Sequence, residues 1–429
     1  MTKNPLMNIA YIAVDTGIPL FGHKGASNHV RDFVRALSAA GHRVTVFSAN
    51  IDGAENHDLP PSVRIVSVLK NNFDRAGDLN AELSALSCND SLRDLLEQRH
   101  KLEPFDFVYE RYSLWSLAGR TFSHKHRLPF VLEVNSPLRM EQKKYRHLHL
   151  DTLASQIEQV LFHQSDWIVT VSSAVLQYVL ETSHRTQPTL LMPNGVDLDL
   201  FRSVQGTPED GSFTIGFVGS LKPWHGVEVL FEAFRLLASE SDVYRLLVVG
   251  DGPLGSWIQK FVGHYGLNSK VTCVGGVEKR RIPELLSQMQ VAVAPYPRLD
   301  NFYFSPLKIF EYMAAGRAIV ASRIGQLADI LRDEETALFA EAGSITDLVE
   351  KVRRLRMEPG IRLFLGRSAK AEAVRKHGWS NRVQDLIDAI AIGGTEAGRL
   401  ASTSPRTFLG GSMPRDLIAS LGSAAADGS

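Results

Sequence analysis

Apolar positions along this chain fall into two rhythms, and the switch between them marks its elements. Ile9 to Val14 is a continuous apolar run of strand length. A loop through Gly17, Gly22 and Gly25 follows, after which Val30, Phe33, Val34 and Leu37 recur at i, i+3, i+4 and i+7, one face of a helix. Gly41-His42 stops that helix, and Arg43 to Ala49 reads as a second strand. Strand, glycine loop, helix and strand form a βαβ unit, and such units build parallel sheets. Phe105 to Tyr109, Pro129 to Val134 and Trp167 to Val171 read as further strands, with helical stretches between them. Asn50–Asp58 and Asn71–Asp90 carry no motif and read as loops.

The opening pattern then restarts. Thr207–Ser212 turns to Gly, Pro and acidic residues, which suggests a linker. Beyond it, Phe213–Val218 reads as a strand, Gly219–Gly226 as a loop, Val227–Leu237 as a helix and Arg245–Val249 as the next strand, closed by Gly250-Asp251-Gly252-Pro253. The expected fold is therefore α/β, with two Rossmann-like, doubly wound domains over residues 1–205 and 206–376. Such domains place a ligand cleft between them, at the carboxyl ends of the strands.

Composition narrows the function. A chain of 429 residues exceeds what one core usually supports, in keeping with two domains. Lys+Arg and Asp+Glu number 47 each, so no net charge favours nucleic acid. Cys88 and Cys273 are the two cysteines, far apart and without metal-ligand spacing, as expected of a disulfide-free cytoplasmic protein. No apolar run reaches transmembrane length, and Met1 is not followed by a signal-peptide core. The basic run Lys143-Lys144-Tyr145-Arg146-His147 has two readings, a solvated surface or a peripheral contact with anionic lipid at the inner membrane face. The tail over 393–429, rich in Gly, Ala and Ser, is expected to be disordered.

Candidate chemistry concentrates in Ser305-Pro306-Leu307-Lys308-Ile309-Phe310-Glu311-Tyr312-Met313-Ala314-Ala315-Gly316. Ser305 suits an N-cap, Pro306 the first helical position and Gly316 the left-handed residue beyond the end. The free N–H groups and positive dipole end of such a helix favour an oxyanion. Lys308 adds a cation in the first turn and Glu311 a carboxylate one turn later, which suits a ligand with both phosphate and hydroxyl groups, as a nucleotide sugar has. The same residues also describe a well-capped helix with no ligand. Gly25, Gly219 and Gly250 likewise read either as tight turns or as places where backbone N–H groups approach a phosphate.

Taken in order, several segments resemble the retaining glycosyltransferases of family 4, which have the GT-B architecture, over about residues 7–392. They are Lys24-Gly25-Ala26-Ser27-Asn28-His29-Val30, Pro193-Asn194-Gly195-Val196-Asp197, Gly216-Phe217-Val218-Gly219-Ser220-Leu221, Val248-Val249-Gly250-Asp251-Gly252-Pro253, and Ser305–Gly316 with Ile319-Val320-Ala321. Leu132-Glu133-Val134-Asn135-Ser136-Pro137-Leu138 resembles one subgroup. The resemblance implies that the second domain binds a nucleoside-diphosphate sugar and the first an acceptor, which is a saccharide, a lipid-linked sugar or a small molecule. It also implies a helix over 377–392 that returns to the first domain, and hexosyl transfer without a metal or other cofactor.

Carried over residue by residue, the resemblance gives Glu311 the role of holding the donor ribose. The first carboxylate of the family's Glu-x7-Glu motif is replaced by Tyr303, and the usual Arg and Lys on the diphosphate by Ser220 and His225. Lys222 and Lys308, with His225 if protonated, would then supply the positive charge. Asn135 takes the place of a histidine facing the sugar, and Arg111 faces the acceptor. Gly25, Gly219, Gly250, Asp251, Gly252, Val277, Ser305, Pro306 and Leu307 complete the implied donor pocket. Two other classes stay open: a glycan phosphorylase, which needs a pyridoxal-phosphate lysine, and a non-catalytic nucleotide-sugar-binding subunit.

Overall fold

Two parallel sheets carry the chain, and both are wound in the same order. The computed structural model describes residues 6–22, 24–52, 59–68, 79–185, 187–204 and 211–401, the last ten of these by backbone alone. In the first half, β1 (Asn8–Ala13), β2 (Arg43–Ser48), β3 (Arg64–Ser67), β4 (Phe107–Arg111), β5 (Phe130–Val134), β6 (Trp167–Thr170) and β7 (Thr189–Leu191) form a sheet of order β3-β2-β1-β4-β5-β6-β7. In the second, β8 (Phe213–Val218), β9 (Tyr244–Val249), β10 (Val271–Gly275), β11 (Val291–Ala294), β12 (Ala318–Ser322) and β13 (Leu338–Ala340) are ordered β10-β9-β8-β11-β12-β13. All pairings between these strands are parallel. The order reverses between β1 and β4 and again between β8 and β11, the places where doubly wound sheets open a ligand crevice.

Burial on both faces explains why these strands read as continuous apolar runs. Every residue of β1, β5, β11 and β12 is buried. The pleat still sorts the side chains. Register pairs Tyr11 with Tyr109 and Arg111 with Glu133, which share the face covered by the Gly25–Ala39 helix, where Phe33 packs on both tyrosines. Ile12, Val108 and Leu132 belong to the core on the other face.

The described residues up to Leu386 make one compact unit, and polar contacts join the two halves inside it. Lys279 pairs with Asp32, Ser172 Oγ donates to the Tyr303 carbonyl at 2.8 Å, and Asn194 grips Ser305. Past His377 the chain meets the first half again, where Trp379 Nε1 donates to Asp32 Oδ2 at 3.3 Å and the indole packs on Phe33.

Some sequence expectations need correction. Residues 79–90, read as part of a loop, open a long helix, Leu79–Leu102, in a stretch with no Gly or Pro to break it. The closing helix runs from Trp379 to Ala401, so the boundary expected at Ile392 lies inside it. Residues 53–58 and 71–78 of the expected loops, 207–210 of the expected linker and 402–429 of the expected tail lie outside the described residues.

Candidate active site

The helix Leu307–Ala314 begins at the mouth of the switch point in the second sheet. Ser305 does not cap it. Pro306, extended at ψ 114°, occupies the N-cap position, and no side chain caps the first turn. The Ser305 hydroxyl instead accepts from the Asn194 N–H at 3.0 Å, while Asn194 Nδ2 donates to the Ser305 carbonyl at 2.5 Å. A two-point grip from a residue 111 positions earlier won over the local cap. Gly316 does take the left-handed conformation, φ 66°, just past the C-cap Ala315.

The Gly25–Ala39 helix also begins in the cleft without a side-chain cap, at Lys24. Gly25 is its first residue and not part of the loop, and a Cβ there would touch Leu307 Cδ1 at 3.5 Å. Two uncapped helix N-termini therefore meet across the cleft, each with first-turn N–H groups that have no acceptor within the helix.

Lys308 points from the second of these helices into the turn after β8. Its side chain is buried and Nζ has no hydrogen-bond acceptor among the described residues. The ammonium rests 3.9 Å from the centre of the Phe217 ring and 5.5 Å from that of Tyr296. A Cβ on Gly219, whose φ is 142°, would lie 2.6 Å from Nζ, so the glycine makes room for the lysine. Burial pushes the ammonium down to about 7, which the Glu311 carboxylate only partly offsets. Glu311 itself is raised by burial, opposed by Lys279, with Asp32 adding to the rise and Lys308 to the opposition.

The glycines of this wall resolve to the turn reading. The Gly219 N–H donates to the Val249 carbonyl and the Gly250 N–H to the Gly275 carbonyl, so neither is free for a phosphate. Gly250 is a close-approach residue, since a Cβ there would collide with the Gly219 carbonyl. Asp251 and Gly252 close the neighbouring turn, where Asp251 Oδ1 accepts from the Gly252 N–H at 2.7 Å. Val277, half-buried after β10, leads into Lys279.

His225 is not a cation. Its Nδ1 donates to the Ser220 carbonyl at 2.6 Å and lies 3.2 Å from the Ser220 hydroxyl. Burial, and then the Lys308 charge, push it down to about 3. The neutral ring keeps a lone pair on Nε2, so it shapes the loop and supplies no charge. Lys222 is half-buried, with its ammonium 4.8 Å over the Trp224 ring.

On the opposite wall, Arg111 ends β4 and Asn135 follows β5. Arg111 Nη1 and Asn135 Oδ1 are buried and meet no hydrogen-bond partner among the described residues. Between them stands Glu133, fully buried, with Oε1 2.7 Å from His29 Nε2 and Oε2 3.6 Å from Arg111 Nη1. Burial alone would raise the Glu133 carboxyl, but His29, with Arg111 and the Tyr109 hydroxyl, outweighs it and holds the group below the usual range. Sequence reasoning gave no role to Glu133, His29 or Asn194. The available signal was a carboxylate inside the apolar strand Phe130-Val131-Leu132-Glu133-Val134, which is rarely buried without a partner. Tyr303, at the position of the absent carboxylate, turns away and packs in the core of the first half.

A large cavity of about 1670 Å³ adjoins this site, along Asp32, Arg35, Lys279 and Trp379, and is lined by neither Lys308 nor Glu311. In the basic run Lys143 pairs with Asp151 at 2.8 Å, as does the preceding Arg139 at 2.6 Å, and Lys144 lies over the exposed Tyr145 ring. No helix among the described residues is long and apolar enough to cross a membrane.

Two doubly wound sheets with a charged cleft at their switch points define the class, a GT-B glycosyltransferase. Comparison with known proteins agrees and narrows it. The model for Glycosyltransferase Family 4 matches residues 23–200, and that for Glycosyl transferases group 1 matches residues 212–357. The chain belongs to glycosyltransferase family 4. It is 26% identical to the D-inositol 3-phosphate glycosyltransferase of Acidothermus cellulolyticus, over 92% of this chain and 93% of that protein. Among solved structures, sucrose-phosphate synthase of Thermosynechococcus elongatus superposes with a TM-score of 0.69 at 20% identity, covering 92% of this chain and all (100%) of that one. Anabaena HepE in complex with UDP-glucose gives 0.65 at 17%, covering 90% and 99%. At these identities the two structures speak for the fold.

Proposed function

We propose that this chain moves a hexosyl-type group, with retention, from a nucleoside-diphosphate sugar to the hydroxyl of a saccharide, lipid-linked or small-molecule acceptor, in polysaccharide or glycoconjugate biosynthesis. The reaction would take place in the cytoplasm, and at the inner face of the membrane where the acceptor is a lipid. The observation that carries the reading is Lys308, a buried ammonium without a partner, aimed at a glycine turn beside two uncapped helix N-termini. A buried unpaired cation is costly, and an anionic ligand removes that cost.

The leaving nucleoside diphosphate gains negative charge as the glycosidic bond breaks, and fixed charge at that place lowers the barrier. Lys308 and the first-turn N–H groups of Leu307–Ala314 supply it without a metal, with Lys222 nearer to solvent. Glu311 holds the ribose through its hydroxyls and does not touch the bond that breaks. Gly25 lets the first half approach the donor closely. Asn135 and Arg111 orient the acceptor, whose hydroxyl proton passes to the departing phosphate oxygen. Support also comes from HepE, a relative in fold whose structure holds UDP-glucose.

A thermal-shift series with UDP, GDP, ADP and TDP and their sugars identifies the base by selective stabilisation. Glu311→Ala then weakens binding of the selected donor by about 1.5–3 kcal/mol while the unliganded melting temperature holds. If no nucleotide stabilises the protein and no nucleoside diphosphate is released with any acceptor class, the reading fails.

A further inference from the structure

We propose that His29 is a positioning residue that carries protons on both ring nitrogens and, as an imidazolium, ties the acceptor-side carboxylate Glu133 to the turn that opens the donor helix. The role in transfer rests on the sugar-transfer reading above, while the protonation state does not.

The argument begins at Asn194. Its Nδ2 donates to the Ser305 carbonyl at 2.5 Å, which fixes the amide so that Oδ1 is the atom facing His29. His29 Nδ1 lies 2.7 Å from that oxygen, and an amide oxygen only accepts, so Nδ1 carries a proton. On the other side, Nε2 lies 2.7 Å from Glu133 Oε1. An ionised carboxylate also only accepts, so Nε2 carries a proton as well. The permanent cation Arg111, 3.6 Å from its second oxygen, favours the ionised form of Glu133 independently of His29. The other groups packed around the ring fit this assignment. Tyr109 and Tyr11 lie on the same sheet face, Trp379 meets the imidazole edge-on at 5.0 Å, and Asp32 on the same helix is engaged by Lys279 and Arg35.

The chain of contacts has a direction. Arg111 and Glu133 stand at the ends of adjacent strands of the acceptor wall, and Ser305 immediately precedes Pro306, Leu307 and Lys308 on the donor wall. Through Asn194, His29 links the two walls. It therefore sets the distance between the groups that hold the acceptor and those that receive the leaving diphosphate. A misplacement of about 1 Å in such a site costs up to ~10²-fold in rate.

Two measurements test this. The first is ¹⁵N NMR of the full chain with labelled histidine at neutral pH, in which His29→Asn assigns the signal. Both ring nitrogens should show attached protons in the wild type, and Glu133→Gln, whose amide can donate to Nε2, should leave one. A wild-type ring with one unprotonated nitrogen overturns the proposal. The second is a double-mutant cycle in kcat. His29→Asn and Ser305→Ala should each lower kcat by roughly 10–10²-fold with donor KM changed by less than about threefold, and the pair should cost little more than either alone. Additive losses, or an early-melting His29→Asn that keeps wild-type kcat, overturn the positioning role. A doubly protonated ring in a protein that transfers no sugar supports the protonation state and overturns the function instead.

Discussion

Glu110 in the first half and Lys308 in the second are both buried, and neither finds a hydrogen-bond partner of good geometry among the described residues. Burial pushes both to about 7, the carboxyl upward and the ammonium downward. Their settings differ. Glu110 lies on the sheet face away from Glu133, pressed against the helix Ala118–His126, where a Cβ on Gly119 would collide with its Oε2. Lys308 stands at a switch point, beside a glycine turn and two helix N-termini. An unpaired buried charge therefore marks a ligand site only where a ligand can reach it. At Glu110 burial favours the neutral acid. At Lys308 the partner proposed above is the leaving diphosphate of the donor.

The largest effect should come from breaking this contrast on the cleft side. Lys308→Met keeps the volume and removes the charge. Loss of a group that stabilises charge developing in the transition state should lower kcat by about 10²–10³-fold, with a smaller rise in donor KM. The unliganded melting temperature should stay or rise, because an unpaired ammonium leaves the interior. Steady-state kinetics with differential scanning fluorimetry checks both. Unchanged kcat would place the leaving-group charge elsewhere.

Glu110 supplies the converse. Its folded-state pKa is raised above the unfolded value of about 4.3, so the folded state binds more protons across that interval. Stability is then fully present below about 4.3 and is lost as pH rises through about 7, by an amount of about 4 kcal/mol at most. Glu110→Gln keeps the shape and cannot ionise. The wild type should lose melting temperature between pH 5 and pH 8, and the variant should lose distinctly less, with transfer activity retained. Parallel pH profiles would show that Glu110 does not carry this slope.

The same contrast explains what could be read from sequence. The β1, Gly25–Ala39 helix and β2 series was legible because its apolar periods are long and local, and so was the restart at Phe213. Lys308 and Glu311 were legible because one helix carries both. Ser305 misled because its strongest partner, Asn194, is remote in sequence, and a local capping rule cannot see it. Glu133 was passed over for the same reason, since its partner His29 is 104 positions away. Short strands such as β7 and β13, three residues each, have too few positions for a period to show.

The smallest effect separates two lysines of one wall. Lys222 carries the same charge as Lys308 and lies in the loop after β8, but it is half-buried and already rests on the Trp224 ring. Water and salt screen it, and a cation stacked at such a site contributes about 0.5–1 kcal/mol. Lys222→Met should therefore raise donor KM by roughly two- to fivefold and leave kcat nearly unchanged, the pattern of uniform binding. The penalty should shrink between low and high ionic strength, whereas that of Lys308→Met should persist, because a buried charge is screened far less. A salt titration of both variants against the same donor decides it. If the two lysines lose equally and with equal salt dependence, burial is not what distinguishes them, and the diphosphate sits over the loop after β8 and not at the start of the Leu307–Ala314 helix.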